Sequence, residues 1–210
     1  MPFEIRQCPH CRLRFPREAG QVVPDTCPVC GSPTRQEAQF TSSRTPPPPV
    51  FRSPLFAALL DNIRSTWNVG SMFRTADGAG LRHLYLCGYT STPENPKVGK
   101  TALGAEQALA WSHHPNSVEL AQTLLTEGKR LVALEGGEQA QSLFHLTEAW
   151  DETPVVLVVG NEVAGVDPGI LALCDQVVSI PMLGTKESLN AAVAFGVAVY
   201  ALRYPSLRRP

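Results

Sequence analysis

The sequence lacks long apolar runs, strong net charge and many aromatic residues. No stretch of about 18 apolar residues occurs, which argues against a transmembrane helix. The first residues do not show the charged-then-apolar pattern of a secretory signal. The 210 residues carry a net charge of −1, so charge alone neither favours nor excludes nucleic acid as a partner. We therefore expect a cytoplasmic protein with no membrane partner.

Cysteine is concentrated at the start of the chain. The pattern is Cys8-Pro-His-Cys11, fifteen residues, then Cys27-Pro-Val-Cys30. Two disulfides or redox pairs are an alternative, but paired CxxC motifs without a secretory signal are typical of a zinc site. Four thiolates complete a tetrahedral shell, which predicts a closed, structural Zn²⁺ site. So short a segment cannot fold on apolar burial alone, so we predict a zinc-ribbon-like module over residues 1–35.

The N-terminal part of the chain is mildly basic. Residues 1–50 hold six arginines and four acids. Four of these arginines surround the first cysteine pair and indicate a modest phosphate-binding patch: Arg6, Arg12, Arg14 and Arg17. Residues 36–53 form a proline-rich linker in this interpretation, with the run Pro46–Pro49 acting as a spacer. A ligand for an SH3-type domain is the alternative interpretation of that run.

From residue 54 to residue 206 the pattern is that of an α/β domain. Strands are predicted within 55–63, 81–89, 130–136, 155–161 and 176–182, and the last three are rich in Val, Ile and Leu with little alternation. Helices are predicted over 69–79, 117–127 and 189–202. Apolar strands separated by helices are typical of a mostly parallel sheet with helices on both faces.

Polar residues recur where these strands end. Asn68 and Arg74 follow the first strand, Glu162 follows the strand at 155–159, and Ser188 and Asn190 lie at the mouth of the last helix. Each has an ordinary explanation: Asn68 and Ser188 as helix caps, Arg74 and Glu162 as solvated charges, and Asn190 as a helix-entry hydrogen bonder. Those explanations do not account for their recurrence at strand ends, where open α/β sheets bind ligands.

Three motifs occur in order along the domain. They are Asn68-Val-Gly through Arg74-Thr-Ala, then Gly160-Asn-Glu with Gly165, then Ile180-Pro-Met-Leu-Gly followed by Ser188-Leu-Asn. In these motifs residues 55–204 resemble the SpoU (TrmH-like) branch of the SPOUT superfamily of RNA methyltransferases. The resemblance implies a trefoil-knotted fold, a homodimer and S-adenosylmethionine as cofactor. The cofactor pocket that it implies is formed by Leu157, Val158, Val159, Gly160, Asn161, Ile180, Pro181, Met182, Gly184, Ser188 and Leu189.

The reaction that the resemblance implies is methyl transfer to a ribose 2′-hydroxyl of transfer or ribosomal RNA. Arg74 is then the cation that lowers the pKa of the hydroxyl, because a guanidinium holds its proton too firmly to be a base. Asn68 orients Arg74 or the substrate, and Glu162 supports that network. Ser188 and Asn190 line the junction of cofactor and nucleotide. The chain departs from the family at Ala192, where a serine is common.

Two other functions remain open on the sequence. One is a non-catalytic RNA-binding or assembly protein that keeps the knotted fold, and the other is a SPOUT enzyme that methylates a base. The zinc module is interpreted as an RNA-positioning module. His113 and His114 are predicted to lie in an exposed loop, and Cys87 and Cys174 to be core thiols.

Overall fold

The structure is a computed structural model that describes residues 2–20, 24–41, 55–137, 140–146 and 153–204. The chain divides into two compact units, Met1–Val50 and Phe51–Pro210. Within the described ranges, every helix is too short or too polar to cross a membrane.

The first unit is a three-stranded antiparallel sheet. Its strands are β1 (Pro2–Gln7), β2 (Arg14–Glu18) and β3 (Arg35–Thr41), in the spatial order β2-β1-β3. The linker predicted over 36–53 therefore begins too early, because residues 36–41 belong to β3. A polar segment of this kind looks like a spacer, yet its backbone pairs with β1. The proline run at 46–49 lies outside the described residues.

The second unit is built on a seven-stranded sheet. The strands are β4 (Leu55–Asp61), β5 (His83–Cys87), β6 (Ala110–His114), β7 (Arg130–Leu134), β8 (Gln141–Ser142), β9 (Val155–Val159) and β10 (Gln176–Ser179). Their spatial order is β6-β5-β4-β9-β7-β10-β8, and each neighbouring pair is parallel. The predicted parallel α/β sheet is confirmed.

Helices cover both faces of this sheet. They are α1 (Thr66–Gly78), α2 (Pro96–Ala102), α3 (Ala105–Ala108), α4 (Ser117–Thr126), α5 (Pro168–Leu171) and α6 (Ala191–Arg203). One core cluster joins α1 and α6 to alternate strand residues such as Leu157, and the second joins α4 and α5 to the residues between them, such as Val158. Strand β9 is buried along its whole length, which explains its unbroken apolar sequence.

Local details differ from the sequence prediction at three places. Ser65, not Asn68, caps α1, since its side chain accepts a hydrogen bond from the Asn68 N–H. Asn190, not Ser188, caps α6. The residues His113 and His114 belong to strand β6 rather than to a loop, because an edge strand needs no apolar run to pair on one side.

The strand order brings distant parts of the chain together. Strand β9 lies between β4 and β7, and β10 lies between β7 and β8. The carboxyl ends of these parallel strands meet at one edge of the sheet, where doubly wound folds place their ligands.

Candidate active site and four-cysteine cluster

A cavity of about 430 Å³ opens at the carboxyl ends of β7, β9 and β10. Its wall is completed by the segment that enters α6. The volume lies within the range of small-molecule sites. The cavity is lined by Leu134–Gly136, Val159–Val163, Gly165, Ser179, Ile180, Met182, Glu187–Ala191 and Ala194.

The loop after β9 is held in shape by Asn161. Its N–H donates to the Gly165 carbonyl at 3.0 Å and its carbonyl accepts from the Gly165 N–H at 2.9 Å. Its side-chain oxygen accepts two further backbone hydrogen bonds, and its amide nitrogen donates to the Asn62 carbonyl at 2.7 Å. The Asn161 side chain is therefore engaged within the protein and fixes the loop that lines one side of the cavity.

Gly160 is required by close packing of the same loop. A Cβ atom at this position would lie 2.2 Å from the Gly165 carbonyl carbon and the Val166 nitrogen. Real Cβ atoms do not approach backbone so closely, so only glycine lets the two ends of the loop meet.

A chain of three polar side chains links the cavity to α1. The Asn190 amide nitrogen donates to the Asn68 side-chain oxygen at 3.1 Å. The Asn68 amide nitrogen donates in turn to the Glu162 carboxylate at 2.8 Å. Glu162 and Asn190 line the cavity, whereas Asn68 lies in the first turn of α1. Three residues predicted for the site are thus in direct contact although they come from three separate motifs.

Glu162 also anchors the entry to α1. Its carboxylate accepts the N–H of Arg64 at 2.8 Å and that of Ser65 at 3.1 Å. Burial alone would raise the pKa of Glu162, but these hydrogen bonds and the one from Asn68 outweigh it, so the pKa lies below its ordinary value. Glu162 is therefore an ionised acceptor rather than a proton donor near neutral pH.

Arg74 lies apart from this chain of hydrogen bonds. It is exposed on α1 and makes no hydrogen bond or ion pair with any residue that the structure describes. Six residues along a helix place it about 9 Å from Asn68 along the axis and about 120° around it. Its guanidinium is free to meet a substrate.

Glu135, which follows β7, also lines the cavity, although none of the three sequence motifs contains it. Its carboxylate accepts the Val166 N–H at 2.8 Å and the Gly136 N–H at 3.0 Å. It thereby fixes the far side of the loop after β9. Its position could have been predicted, because Glu135-Gly136-Gly137 is a polar turn directly after a buried strand.

Other predicted cofactor contacts lie elsewhere. Leu157 and Val158 are fully buried in opposite core layers, because side chains in mid-strand point into the helices on either face. Pro181 and Gly184 are exposed in the loop after β10 and are not among the residues that line the cavity. The remaining predicted contacts line it: Val159, Gly160, Asn161, Ile180, Met182, Ser188 and Leu189.

Comparison with known proteins matches this domain to one family. The model of the SpoU rRNA Methylase family matches residues 56–200. The chain belongs to the SpoU family. The SpoU match contains every residue of the cavity and of the polar chain, and it leaves out the four cysteines of the first unit.

Three relatives illustrate the SpoU match. The 23S rRNA (guanosine(2553)-2′-O)-methyltransferase RlmP of Bacillus subtilis is 35% identical over 147 residues, which are 69% of this chain and 56% of that protein. The tRNA (guanosine(18)-2′-O)-methyltransferase of Aquifex aeolicus is 30% identical over 67% of this chain and 64% of its own length. The crystal structure of the SpoU methyltransferase AviRb from Streptomyces viridochromogenes in complex with AdoMet superposes with a TM-score of 0.65 and 28% identity, covering 76% of this chain and 63% of AviRb. The chain thus spans about half to two thirds of the length of these relatives.

The four cysteines outside the SpoU match converge in the first unit. The sulfurs of Cys8, Cys11, Cys27 and Cys30 all lie within 4.8 Å of one another, and none forms a disulfide. The Cys8–Cys30 and Cys11–Cys27 sulfur pairs are 3.5 and 3.4 Å apart. Metal–sulfur bonds of about 2.3 Å in a tetrahedron require sulfurs about 3.8 Å apart, so the cluster has the size of a tetrahedral thiolate site.

Two similar turns hold this cluster. Arg12 and Gly31 each lie four residues after the first cysteine of a pair, and each donates its N–H to the carbonyl of that cysteine at 2.9 Å. Both have positive φ, 64° and 72°. The conformation suits Gly31, whereas Arg12 adopts it at some cost in strain.

Proposed function

We propose that this SpoU protein transfers a methyl group from S-adenosylmethionine to a ribose 2′-hydroxyl of transfer or ribosomal RNA. The observation that carries the proposal is the hydrogen-bonded chain Asn190–Asn68–Glu162, which connects a ligand-sized cavity to the helix that bears Arg74. The names of the RlmP and Aquifex relatives, both 2′-O-methyltransferases, support the same reaction.

The cavity fits the proposed cofactor. Its wall includes Gly160, Ile180 and Leu189, and we assign the reading of the adenine edge to backbone N–H and C=O groups of these segments. The loop that forms one side is rigid, since Asn161 and Glu135 both tie it down. S-adenosylmethionine supplies an already activated methyl group, so the protein has only to align the hydroxyl and ease the loss of its proton.

Arg74 is the residue to which we assign that second task. It is exposed, always charged, and engaged by no described partner. A cation beside the 2′-hydroxyl lowers the pKa of that hydroxyl, and a guanidinium also grips the adjacent phosphate with two N–H groups. Asn68, Ser188 and Asn190 position the nucleotide, and the ionised Glu162 holds Asn68 in the orientation in which its oxygen faces Asn190.

The proposal includes a trefoil knot, a homodimer and a structural zinc ion. Strands β9 and β10 each enter the sheet between strands of other parts of the chain, which is compatible with a trefoil knot in a methyltransferase domain over 54–206. Exposed Trp67 of α1 and exposed Val193 and Tyr200 of α6 offer an apolar surface for a homodimer. The four thiolates are suited to structural Zn²⁺ and leave no open coordination position. A cytoplasmic location stays a prediction.

The test is a methyl-transfer assay on undermodified total RNA with labelled S-adenosylmethionine, followed by nucleoside analysis by mass spectrometry. The wild type, Arg74→Ala and the control Arg82→Ala are compared, because Arg82 is another exposed arginine of the same unit. We expect a 2′-O-methylnucleoside with the wild type and Arg82→Ala and at least a 100-fold slower reaction with Arg74→Ala, about the loss seen when one charge-stabilising group is removed.

Other products would contradict the proposal in distinguishable ways. A methylated base would move the protein to another branch of SPOUT enzymes. Absence of product on total transfer and ribosomal RNA, with the cofactor bound, would favour a non-catalytic RNA-binding protein. Equal rates for Arg74→Ala and the wild type would remove Arg74 from the mechanism.

A further inference from the structure

The sheet of the first unit has two unlike faces. Directly opposed residues on neighbouring strands point to the same side, and successive residues alternate. Gln7 is opposed by Arg14 on one side and by Arg35 on the other, while Phe3 is opposed by Glu18 and Phe40. The face that carries these rows is called the open face here. Its members are Phe3, Ile5, Gln7, Arg14, Pro16, Glu18, Arg35, Ala38 and Phe40.

The opposite face is occupied by an internal ion-pair network. Arg6 is only 5% exposed, and its guanidinium contacts Glu4 at 3.2 Å and Asp25 at 3.0 Å. Arg17 contacts the same two carboxylates at 3.2 and 2.7 Å. These two arginines, counted in the sequence as part of a phosphate-binding patch, are therefore neutralised by carboxylates of the same unit.

The open face carries exposed aromatic and cationic groups. The rings of Phe3 and Phe40 stack with centroids 5.6 Å apart, and Phe40 remains 46% exposed. Arg14 and Arg35 are exposed and make no hydrogen bond or ion pair with a residue in the described ranges. Glu18 lies at the end of the face away from them, four residues along the strand or about 13 Å. The face thus has an aromatic end and a cationic end.

We propose that the open face binds single-stranded RNA. A base stacks on the exposed ring of Phe40, and the phosphates of the next nucleotides contact Arg14 and Arg35. Flat sheet surfaces that combine exposed aromatic rings with arginine suit unpaired nucleotides, because every base has a π-face and every phosphate a charge. We choose RNA over a protein partner because the row Arg14–Gln7–Arg35 is positively charged. This choice rests on the proposed function of the SpoU unit.

The test uses the full-length, metal-loaded chain and a fluorescein-labelled oligouridine of 12 nucleotides, with binding followed by fluorescence anisotropy. Phe40→Leu keeps an apolar side chain but removes the ring, and we expect binding to weaken about 5- to 10-fold. The matched control Phe40→Tyr keeps the ring and binds within about 2-fold of the wild type. An excess of unlabelled duplex RNA of the same length competes poorly, because its bases are already stacked.

The arginines are tested by the salt dependence of the same binding reaction. Each phosphate contact on a single strand contributes about 0.7 to the slope of log K against log salt. We expect the double variant Arg14→Gln/Arg35→Gln to make the salt dependence shallower, with the magnitude of that slope reduced by about 1.4. The control Arg82→Gln removes an exposed arginine of the second unit, which lies outside the open face, and it leaves the slope unchanged.

A cross-linking experiment needs no variant. The wild type is irradiated with 4-thiouridine-containing oligouridine and digested with trypsin, and we expect the nucleotide on the peptide of residues 36–44, which contains Phe40. Equal affinity of wild type and Phe40→Leu, with cross-links only in the SpoU unit, would overturn the proposal. Binding of oligouridine requires no methyl transfer, so this outcome is separate from a failure of the proposed reaction.

Discussion

Replacing Glu162 with glutamine probes the junction between the loop after β9 and the start of α1. The carboxylate accepts hydrogen bonds from two backbone N–H groups and from the Asn68 amide. A glutamine has one acceptor oxygen and an NH₂ group, so one side of the junction becomes a donor facing a donor. The negative charge at the helix N-terminus is lost as well.

The loss of folding free energy in Glu162→Gln can be estimated from these contacts. A hydrogen bond to a charged group is worth about 1.5–3 kcal/mol, and the partial solvation of Glu162 places this case at the low end, about 1.5 kcal/mol. For a domain of this size, we expect the Tm to fall by about 3–6 °C. The control Asp77→Asn removes a carboxylate from the last turn of the same helix, where the helix dipole does not favour it, and causes no fall.

The dependence on pH gives a second check of the same reasoning. Because the pKa of Glu162 is lowered by folding, its stabilisation is complete above the unfolded pKa, about 4.3, and is lost as the pH falls through the folded value. The Tm difference between wild type and Glu162→Gln, measured by calorimetry, is therefore constant above about pH 5 and shrinks below it. A zero difference at pH 7, or a difference that persists undiminished in acid, would refute the role of the carboxylate.

Three further predictions concern other parts of the molecule. Gly160→Ala weakens S-adenosylmethionine binding at least 10-fold by calorimetry, since its Cβ would meet Val166, whereas Gly184→Ala, with nothing within 4 Å of the added Cβ, binds as the wild type does. Cys11→Ser lowers the zinc content, measured by native mass spectrometry, from one ion per chain to none; a retained ion would show that three thiolates suffice. His83→Gln reduces the acid sensitivity of the Tm: burial lowers the pKa of His83, so its stabilisation is complete above about pH 6.5 and declines as the pH falls through the folded value. An identical pH profile for the variant would contradict this.

The strands and the site loops of the SpoU unit were predictable because their signals are local. A short unbroken run of β-branched and apolar residues such as Val155–Val159 favours a buried strand, and a polar turn directly after it indicates a ligand-binding edge of the sheet. The four cysteines were equally clear, since their spacing alone favours one metal site.

The helix caps were not predictable, because tertiary contacts decide between equally good candidates. Ser65 and Asn68 are both capping residues, and Asn68 is drawn away by Glu162, which lies far along the chain. Likewise Asn190 both caps α6 and contacts Asn68, which leaves Ser188 outside the helix.

Polar strands were missed for a related reason. Strand β3 and the edge strand β6 have no apolar periodicity, and only their partners β1 and β5 determine that they pair. A strand is predicted from sequence by the apolar residues that it buries, and a strand at the edge of a sheet buries few of them.

The position of β9 between β4 and β7 determines the order in which parts of the sheet can form while the chain is being synthesised. Strand β4 leaves the ribosome early, yet one of its two neighbours is synthesised only after β7 and β8. At about 5–20 residues per second the open edge of β4 waits on the order of 5–20 s for that partner. Neither the cavity nor the hydrogen bonds of the Asn190–Asn68–Glu162 chain exist during this interval, because Glu162 and Asn190 follow β9 in the sequence. The nascent chain therefore exposes an apolar strand edge while it is still unable to bind cofactor. Strand β9 covers that edge first, and the binding site is completed only after β10 and the start of α6 have followed.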